Sequence, residues 1–401
     1  MYWTAFTEEE IQERIKDALS QNVSYLRSKI MGVPGSYLDS SVFNLEAAAD
    51  SPFLESMIEN PNHIGCHTFG DSEGFFKGTH RIEKELIGIC AEEIFKAEPN
   101  SYDGYVAPSD YEGNIQAMWV YRNFFKKEFK AQEEEIGVLL SEDSNVSVIK
   151  GADLLDIQPV ILKVDKFSRS IQRQQFIDQL VKALSQGVKY FIGIVNMGNL
   201  KFGKVDDIEL FVEILQEFQV PFKIHVDASF GGFVYPIANP NNTLNFTHPH
   251  ISSISVDSYR ILQAPFGTGI MLIRKNLLHY VVTEEASYVS GKDYTLSGSR
   301  SGANAIAVWM LLKAYGSEGL KQKINHILYR TDLLCQELDK KNITYFRNPF
   351  LNIVAIHDKH ITRRIEQLYG LTPDDTENPQ WWRVVVMEHV QEHLIDEFID
   401  Y

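Results

Sequence analysis

Residues 223–236 read KIHVDASFGGFVYP. A short strand here delivers His225 and Asp227 to a sheet edge, and Gly231-Gly232 then lets the backbone turn away closely. Comparable runs lie on both sides, at Ile136–Leu140, Val160–Val164, Tyr190–Val195, Phe222–Asp227, Ser253–Asp257 and Gly269–Arg274. Helical periodicity fills the stretches between and before them, at 77–95, 111–129, 171–186 and 205–218. Apolar strands alternating with helices predict a mainly parallel sheet covered on both faces. Ligands of such sheets gather at the carboxyl ends of the strands, where Asp227 and Asp257 end their runs.

Past residue 300 the pattern changes. Two long helical segments, 303–315 and 319–341, precede strands at Asn352–Ile356 and Arg383–Met387 and a final helix, which predicts a smaller α+β layer. At the other end, residues 7–30 place Ile11, Ile15, Ala18, Leu19, Leu26 and Ile30 near one helical face. Thr7 and Glu10 have the spacing of a capping box. This helix reads as an arm that needs another surface, either its own body or a second subunit. The expected organisation is an arm and dimer-contact segment at 1–50, a large α/β domain at 51–300 and a small α+β domain at 301–401.

The 401 residues carry 38 Lys+Arg against 54 Asp+Glu, a net charge of −16. A surface this acidic repels phosphate backbones and anionic lipid, which excludes nucleic acid and membrane as first expectations. The opening MYWTAFTEEE has no basic start followed by an apolar run, and no stretch approaches the roughly 18 apolar residues of a membrane span. Cys66, Cys90 and Cys335 form no CxxC pair. A cytoplasmic, reducing setting is expected.

Common cofactor fingerprints are missing. There is no GxxxxGK[ST] loop, and Gly267-Thr268-Gly269 lacks the third glycine of a dinucleotide turn. His63 and His67 have metal-ligand spacing, but Gly65 argues against a helix, so they read as pocket or loop histidines and no metal is expected. His248-Pro249-His250 reads as a solvated loop, and Glu133-Glu134-Glu135 as an exposed face. Asp227 admits two explanations. A strand-end aspartate can hold a protonated ring nitrogen through a charge-assisted hydrogen bond, or it can cap a neighbouring helix.

The run HVDASFGGFV, then SISVDSYRILQAPFGTGIMLIR, then GSRSGANAIAVWM, resembles the group II pyridoxal-phosphate-dependent amino-acid decarboxylases. The likeness extends from HIGCHTFGDSEGFFKGTHRIEKELI to WRVVVMEHV, nearly the whole chain. It implies the fold type I, aspartate-aminotransferase-like architecture, with a mainly parallel seven-stranded-type sheet and a smaller C-terminal α+β domain. It also implies pyridoxal phosphate as cofactor and a homodimer with its sites at the subunit interface.

Four positions depart from the family pattern. Relatives place the Schiff-base lysine after a histidine; this chain has Tyr259 and Arg260 in Asp257-Ser258-Tyr259-Arg260. Arginine keeps its delocalised charge and cannot supply the free amine that lysine can. The Gly-Gly-Thr-type phosphate turn is replaced by Ser109, Asp110 and Tyr111. A unit charge about 4 Å from a phosphate charge costs on the order of 4 kcal/mol at an effective dielectric of 20. Asn145 stands at the ring-stacking histidine, and Asn199 lies in Asn196–Lys201, where relatives have a threonine-rich turn. His225, Asp227, Gly267 and Arg300 are retained.

These departures predict a non-catalytic member acting as a binding or partner subunit, in a homodimer or in a heterodimer with an active paralogue. Arg260 is expected to pair with Asp227, directly or through one water. Two alternatives stay open. One is a pyridoxal-phosphate-dependent carboxy-lyase working without an internal aldimine. The other is a remodelled pocket in which Tyr111, Asn145, Asn199 and Arg260 bind a small polar or amino-acid-like ligand.

Overall fold

The computed structural model describes residues 2–25, 29–32, 38–48, 51–59, 62–63, 74–282 and 292–400. Seven strands form the main sheet: Tyr102–Ala107 (β1), Ile136–Ser141 (β2), Gln158–Leu162 (β3), Tyr190–Asn196 (β4), Phe222–Asp227 (β5), Ile251–Asp257 (β6) and Gly269–Arg274 (β7). Their order is β1-β7-β6-β5-β4-β2-β3. The chain divides into two compact units, Met1–Phe129 with Asn245–Leu320, and Lys130–Leu244 with Lys321–Tyr401.

In the first unit β7 pairs antiparallel with both β1 and β6. The helix Asp110–Phe129 packs on these strands at Gly113, where a Cβ would lie 2.8 Å from Cβ of Ser255. Asn114 fixes that approach by accepting the Ser255 hydroxyl at 2.6 Å. β1 is absent from the sequence expectation because Asp103 and Gly104 interrupt its apolar run. Gly104 is needed there, since a Cβ would meet the Met271 carbonyl oxygen at 2.6 Å.

In the second unit β2, β3, β4 and β5 are parallel. The helices Arg173–Ser185 and Ile208–Glu217 follow β3 and β4, and Phe176 and Phe211 meet edge-to-face at 4.9 Å. Fully burying one such ring contributes about 1.5–3 kcal/mol. A smaller antiparallel sheet comprises Tyr345–Arg347, Ile353–His357, Trp381–Val385 and Thr372–Pro373, in that spatial order. The closing helix Glu392–Asp400 buries Ile395 and Ile399 against Leu334, Leu338, Val354 and Ile356. The two strand expectations here sit within two residues of the observed bounds.

Two expectations need correction. The amino-terminal helix is Glu8–Ser20, not 7–30. It does open on the Thr7–Glu10 capping box, with Ile11, Ile15 and Ala18 buried. It stops because Asn22 serves another helix: Asn22 Oδ1 accepts the Gly78 and Thr79 amides at 3.0 and 3.2 Å, capping the start of Lys77–Gly88. The surface the arm covers belongs to its own unit. A Cβ on Gly78 would fall 1.8 Å from the Ala18 carbonyl oxygen. The second correction concerns His248-Pro249-His250, whose histidines are half-buried. Arg274 draws that loop in by donating to the carbonyls of Phe246, His248 and Ile251.

The two long carboxy-terminal helices expected from the sequence are present within Gly302–Lys340, separated by a break at Gly316, where the backbone leaves the helical region. With φ +60° and a Cβ position 2.7 Å from the Ala5 amide nitrogen, that residue accommodates only glycine without strain. Cys90 and Cys335 are buried free thiols, and Cys66 and His67 lie outside the described residues. Among the described residues no helix is long and apolar enough to cross a membrane.

Replacing Asn22 with alanine removes the cap on Lys77–Gly88 and is expected to cost about 1–2 kcal/mol. A urea titration should show a lower midpoint with an unchanged slope. An unchanged midpoint would show that the cap contributes nothing.

Candidate functional site

The first unit gathers its candidate residues where β6 ends and the Asp110–Phe129 helix begins. Asp257, the last residue of β6, is 1% exposed. Its Oδ1 accepts the Asp110 amide at 2.9 Å, satisfying one of the helix's orphan N–H groups. Its Oδ2 accepts Arg260 Nε at 3.1 Å. The Asp110 side chain is buried at the helix start, within hydrogen-bonding reach of the Asp257 carboxylate. Burial pushes the Asp110 carboxyl up, and the Asp257 charge and the shared hydrogen bond push it further; Arg260 and the Tyr111 amide oppose this. Burial also raises Asp257, against the hydrogen bonds from Asp110 and Arg260. Both carboxyls are thus raised chiefly by burial, Asp110 also by the charge of Asp257, with one guanidinium beside the pair.

The surrounding turn is tightly built. A Cβ on Gly269 would lie 2.5 Å from the Ser109 carbonyl carbon, which leaves that strand start no side chain. Gly267 adopts φ +93°, and its carbonyl accepts Asn304 Nδ2 at 2.7 Å. The Tyr259 ring lies 4.9 Å from the Arg260 guanidinium and 5.0 Å from Phe266. Burial, then the Asp257 charge, pushes the Tyr259 hydroxyl up to about 12, so it is a donor at neutral pH. Tyr111 is half-buried in the first turn of the helix.

Arg300 forms a buried ion pair with Glu83, and its Nη1 donates to the Val106 carbonyl at 3.1 Å. Glu83 also accepts the Val106 amide at 2.8 Å, so the pair anchors β1. The guanidinium lies 5.2 Å from the Tyr105 ring.

The second unit holds the remaining candidates. His225 is fully buried, and burial alone lowers its pKa to about 3, which keeps the ring neutral. Asp227 ends β5, and its Oδ1 accepts the Ser229 amide at 3.0 Å. Gly231 allows the close turn read from the sequence, since a Cβ there would sit 2.0 Å from the Met197 carbonyl oxygen. Asn145 caps the helix Val146–Leu154 by accepting the Ser147 amide at 3.0 Å. Asn199 Oδ1 accepts the Phe202 amide at 2.8 Å, and its buried Nδ2 has no hydrogen-bond partner among the described residues.

The sequence singles out Asp257 only as a strand-end carboxylate, and it does not single out Glu83, Asp143 or Arg169 at all. The role of Asp257 is open to reading from its position three residues before Arg260. The expected Arg260–Asp227 pair would join the two units; the ion pair seen for Arg260 is with Asp257 inside its own unit. Asp143 takes Arg169 in a bidentate pair, and that guanidinium stacks 4.1 Å from the Phe202 ring centre. Nothing in the sequence separates this pair from the other Asp and Arg residues.

A lysine-linked pyridoxal phosphate does not fit these donors. Arg260 offers no neutral amine. The helix start where amides would receive a phosphate carries the Asp110 carboxyl, itself bonded to Asp257. The Asn145 oxygen is committed to its own helix.

Asp110→Asn imitates the protonated carboxyl. Because Asp110 is raised in the fold, it favours folding below the ordinary carboxylate range near 4 and loses that contribution as pH rises through its folded pKa. Thermal melts are expected to show the variant gaining on the parent as pH rises from about 5 to 8. A constant difference would refute a raised Asp110 carboxyl. Glu83→Gln should cost about 3–5 kcal/mol by leaving Arg300 buried without a carboxylate; a loss below 1 kcal/mol in denaturant would contradict that role.

Residues 84–349 match the model of the pyridoxal-dependent decarboxylase conserved domain. The chain is 43% identical to a tryptophan decarboxylase of Clostridium sporogenes, over 99% of this chain and 96% of the relative. It is 29% identical to a probable L-tyrosine/L-aspartate decarboxylase of Methanosarcina barkeri, over 86% and 90%. Among solved structures, an L-methionine decarboxylase of Streptomyces superposes with a TM-score of 0.70 at 17% identity, covering 98% of this chain and 92% of that one. The Lactobacillus brevis glutamate decarboxylase gives 0.69 at 17%, covering 100% and 92%. These structures share the fold type I architecture read from the sequence. With the matched domain covering most of its length, the chain belongs to the pyridoxal-dependent decarboxylase family.

Proposed function

We propose that this chain is a family member that has given up lysine-linked cofactor chemistry and serves as a binding or partner subunit. The observation that carries this reading is the buried set Arg260–Asp257–Asp110. The residue at the lysine position is an arginine engaged by Asp257, and Asp110 supplies a carboxyl at the helix start that would otherwise face a phosphate. Both changes work against an anionic aldehyde cofactor, one by removing the amine and the other by adding an acid. The family commonly assembles as dimers, and this reading places the chain in a homodimer or beside an active paralogue.

The 43% identity with a tryptophan decarboxylase across nearly the whole chain favours a second reading. On it the protein is a carboxy-lyase for an aromatic amino acid, using pyridoxal phosphate without a lysine link. Neutral His225 and the strand-end carboxylate of Asp227 support this alternative.

The two separate in one experiment. Purified protein, Arg260→Lys and Arg260→Lys/Asp110→Gly are incubated with pyridoxal phosphate, and visible absorbance is recorded. Amine release from tryptophan and tyrosine is then assayed. The parent and the single variant are expected to show neither bound-cofactor absorbance nor amine release, because Asp110 remains in place, while the double variant gains absorbance. Amine release by the parent protein would overturn the proposal and establish the carboxy-lyase reading.

A further inference from the structure

The second unit contains a cavity of about 520 Å³ whose wall includes Ser170, Arg173, Lys204, Asp207, Tyr235 and Leu244. Its ionic groups are mostly committed. Arg173 is matched by Glu213 at 2.9 Å and Glu217 at 2.7 Å. Asp206 accepts the Asn196 amide and side chain at 2.9 and 2.6 Å, and Asp207 caps Ile208–Glu217 by accepting the Glu209 amide at 3.0 Å. Lys204 differs from these. It is half-buried, donates to the neutral Ser170 hydroxyl at 2.8 Å, and makes no ion pair among the described residues.

We propose that Lys204 is a carbonyl-reactive amine that forms a Schiff base with an uncharged aldehyde admitted to this cavity. A half-buried ammonium whose direct partner is a hydroxyl is poorly compensated, which favours the neutral, nucleophilic form. Burial accordingly lowers its pKa, with Asp206 and Asp207 opposing only in part. In the reaction Nζ adds to the carbonyl carbon, the carbonyl oxygen leaves as water, and a C=N bond replaces C=O. Loss of the lysine charge removes a through-space contribution to Asp206, whose carboxylate keeps both hydrogen bonds from Asn196. An anionic substituent on the aldehyde would find Arg173 already matched by two glutamates and Asp207 nearby, so an uncharged aldehyde is preferred.

The test uses the full-length parent protein with pyridoxal, which lacks a phosphate, at neutral pH. Borohydride reduction and peptide mass mapping follow, with Lys204→Arg in parallel. One adduct per chain is expected, on the peptide containing Lys204, and the variant should remain unmodified at the same dose. Pyridoxal phosphate at equal concentration should label Lys204 several-fold less. As pH rises toward the ordinary lysine range near 10, the preference for Lys204 should fade. Label spread over exposed lysines at neutral pH, with Lys204 no more modified than they are, would overturn the proposal. Preferential labelling by pyridoxal phosphate would overturn the aldehyde class. Lys204 and Arg260 lie in different units, and neither result at Lys204 alters the outcome of the Arg260 variants.

Discussion

A carboxylate that cannot reach water must find its compensation within the protein, and Asp257 finds it in three neighbours. It accepts the first amide of a long helix and the guanidinium of Arg260, and it lies within hydrogen-bonding reach of the Asp110 side chain. Two buried carboxyls at hydrogen-bonding distance cannot both ionise without a large penalty, so a proton and a guanidinium settle the charge together. The strand end, the helix start and the short turn carrying Tyr259 and Arg260 are thereby fixed by one group. A lysine at position 260 would bring a compact, mobile charge to the same carboxylate. Arginine brings a planar fork that holds its direction.

The second unit solves the same problem with other residues. Asp206 is fully buried and pushed up to about 6 by that burial, with two hydrogen bonds from Asn196 opposing the shift. Asn196 also donates to the Ser144 hydroxyl at 2.9 Å, and Asp143 takes Arg169. Polar side chains around these strand ends are thus spent largely on one another. The scaffold is that of the pyridoxal-dependent decarboxylases, and on it these strand-end groups bind one another. A shared fold does not by itself fix the chemistry, which depends on the individual residues.

Much of this was legible in one dimension. Six of the seven main strands follow from apolar runs of strand length, because strands buried on both faces need apolar residues at consecutive positions. β1 escaped because its Asp103 and Gly104 answer to neighbours, Gly104 to the backbone of β7. The overlong amino-terminal helix had a similar cause. Residues 21–30 keep a tolerable apolar periodicity, but the Asn22 side chain is needed at a helix start more than fifty residues away.

The sequence by itself determined the fold class, the family and which residue stands at each altered position, since these depend on local pattern and on residue type. The tertiary structure decided what those residues hold. Asn145 binds the amide two residues ahead, Arg300 a glutamate more than two hundred residues before it, and Arg260 the aspartate that ends its own strand. Hydrogen bonds and ion pairs act over a few ångströms, and only the folded chain determines which groups lie that close.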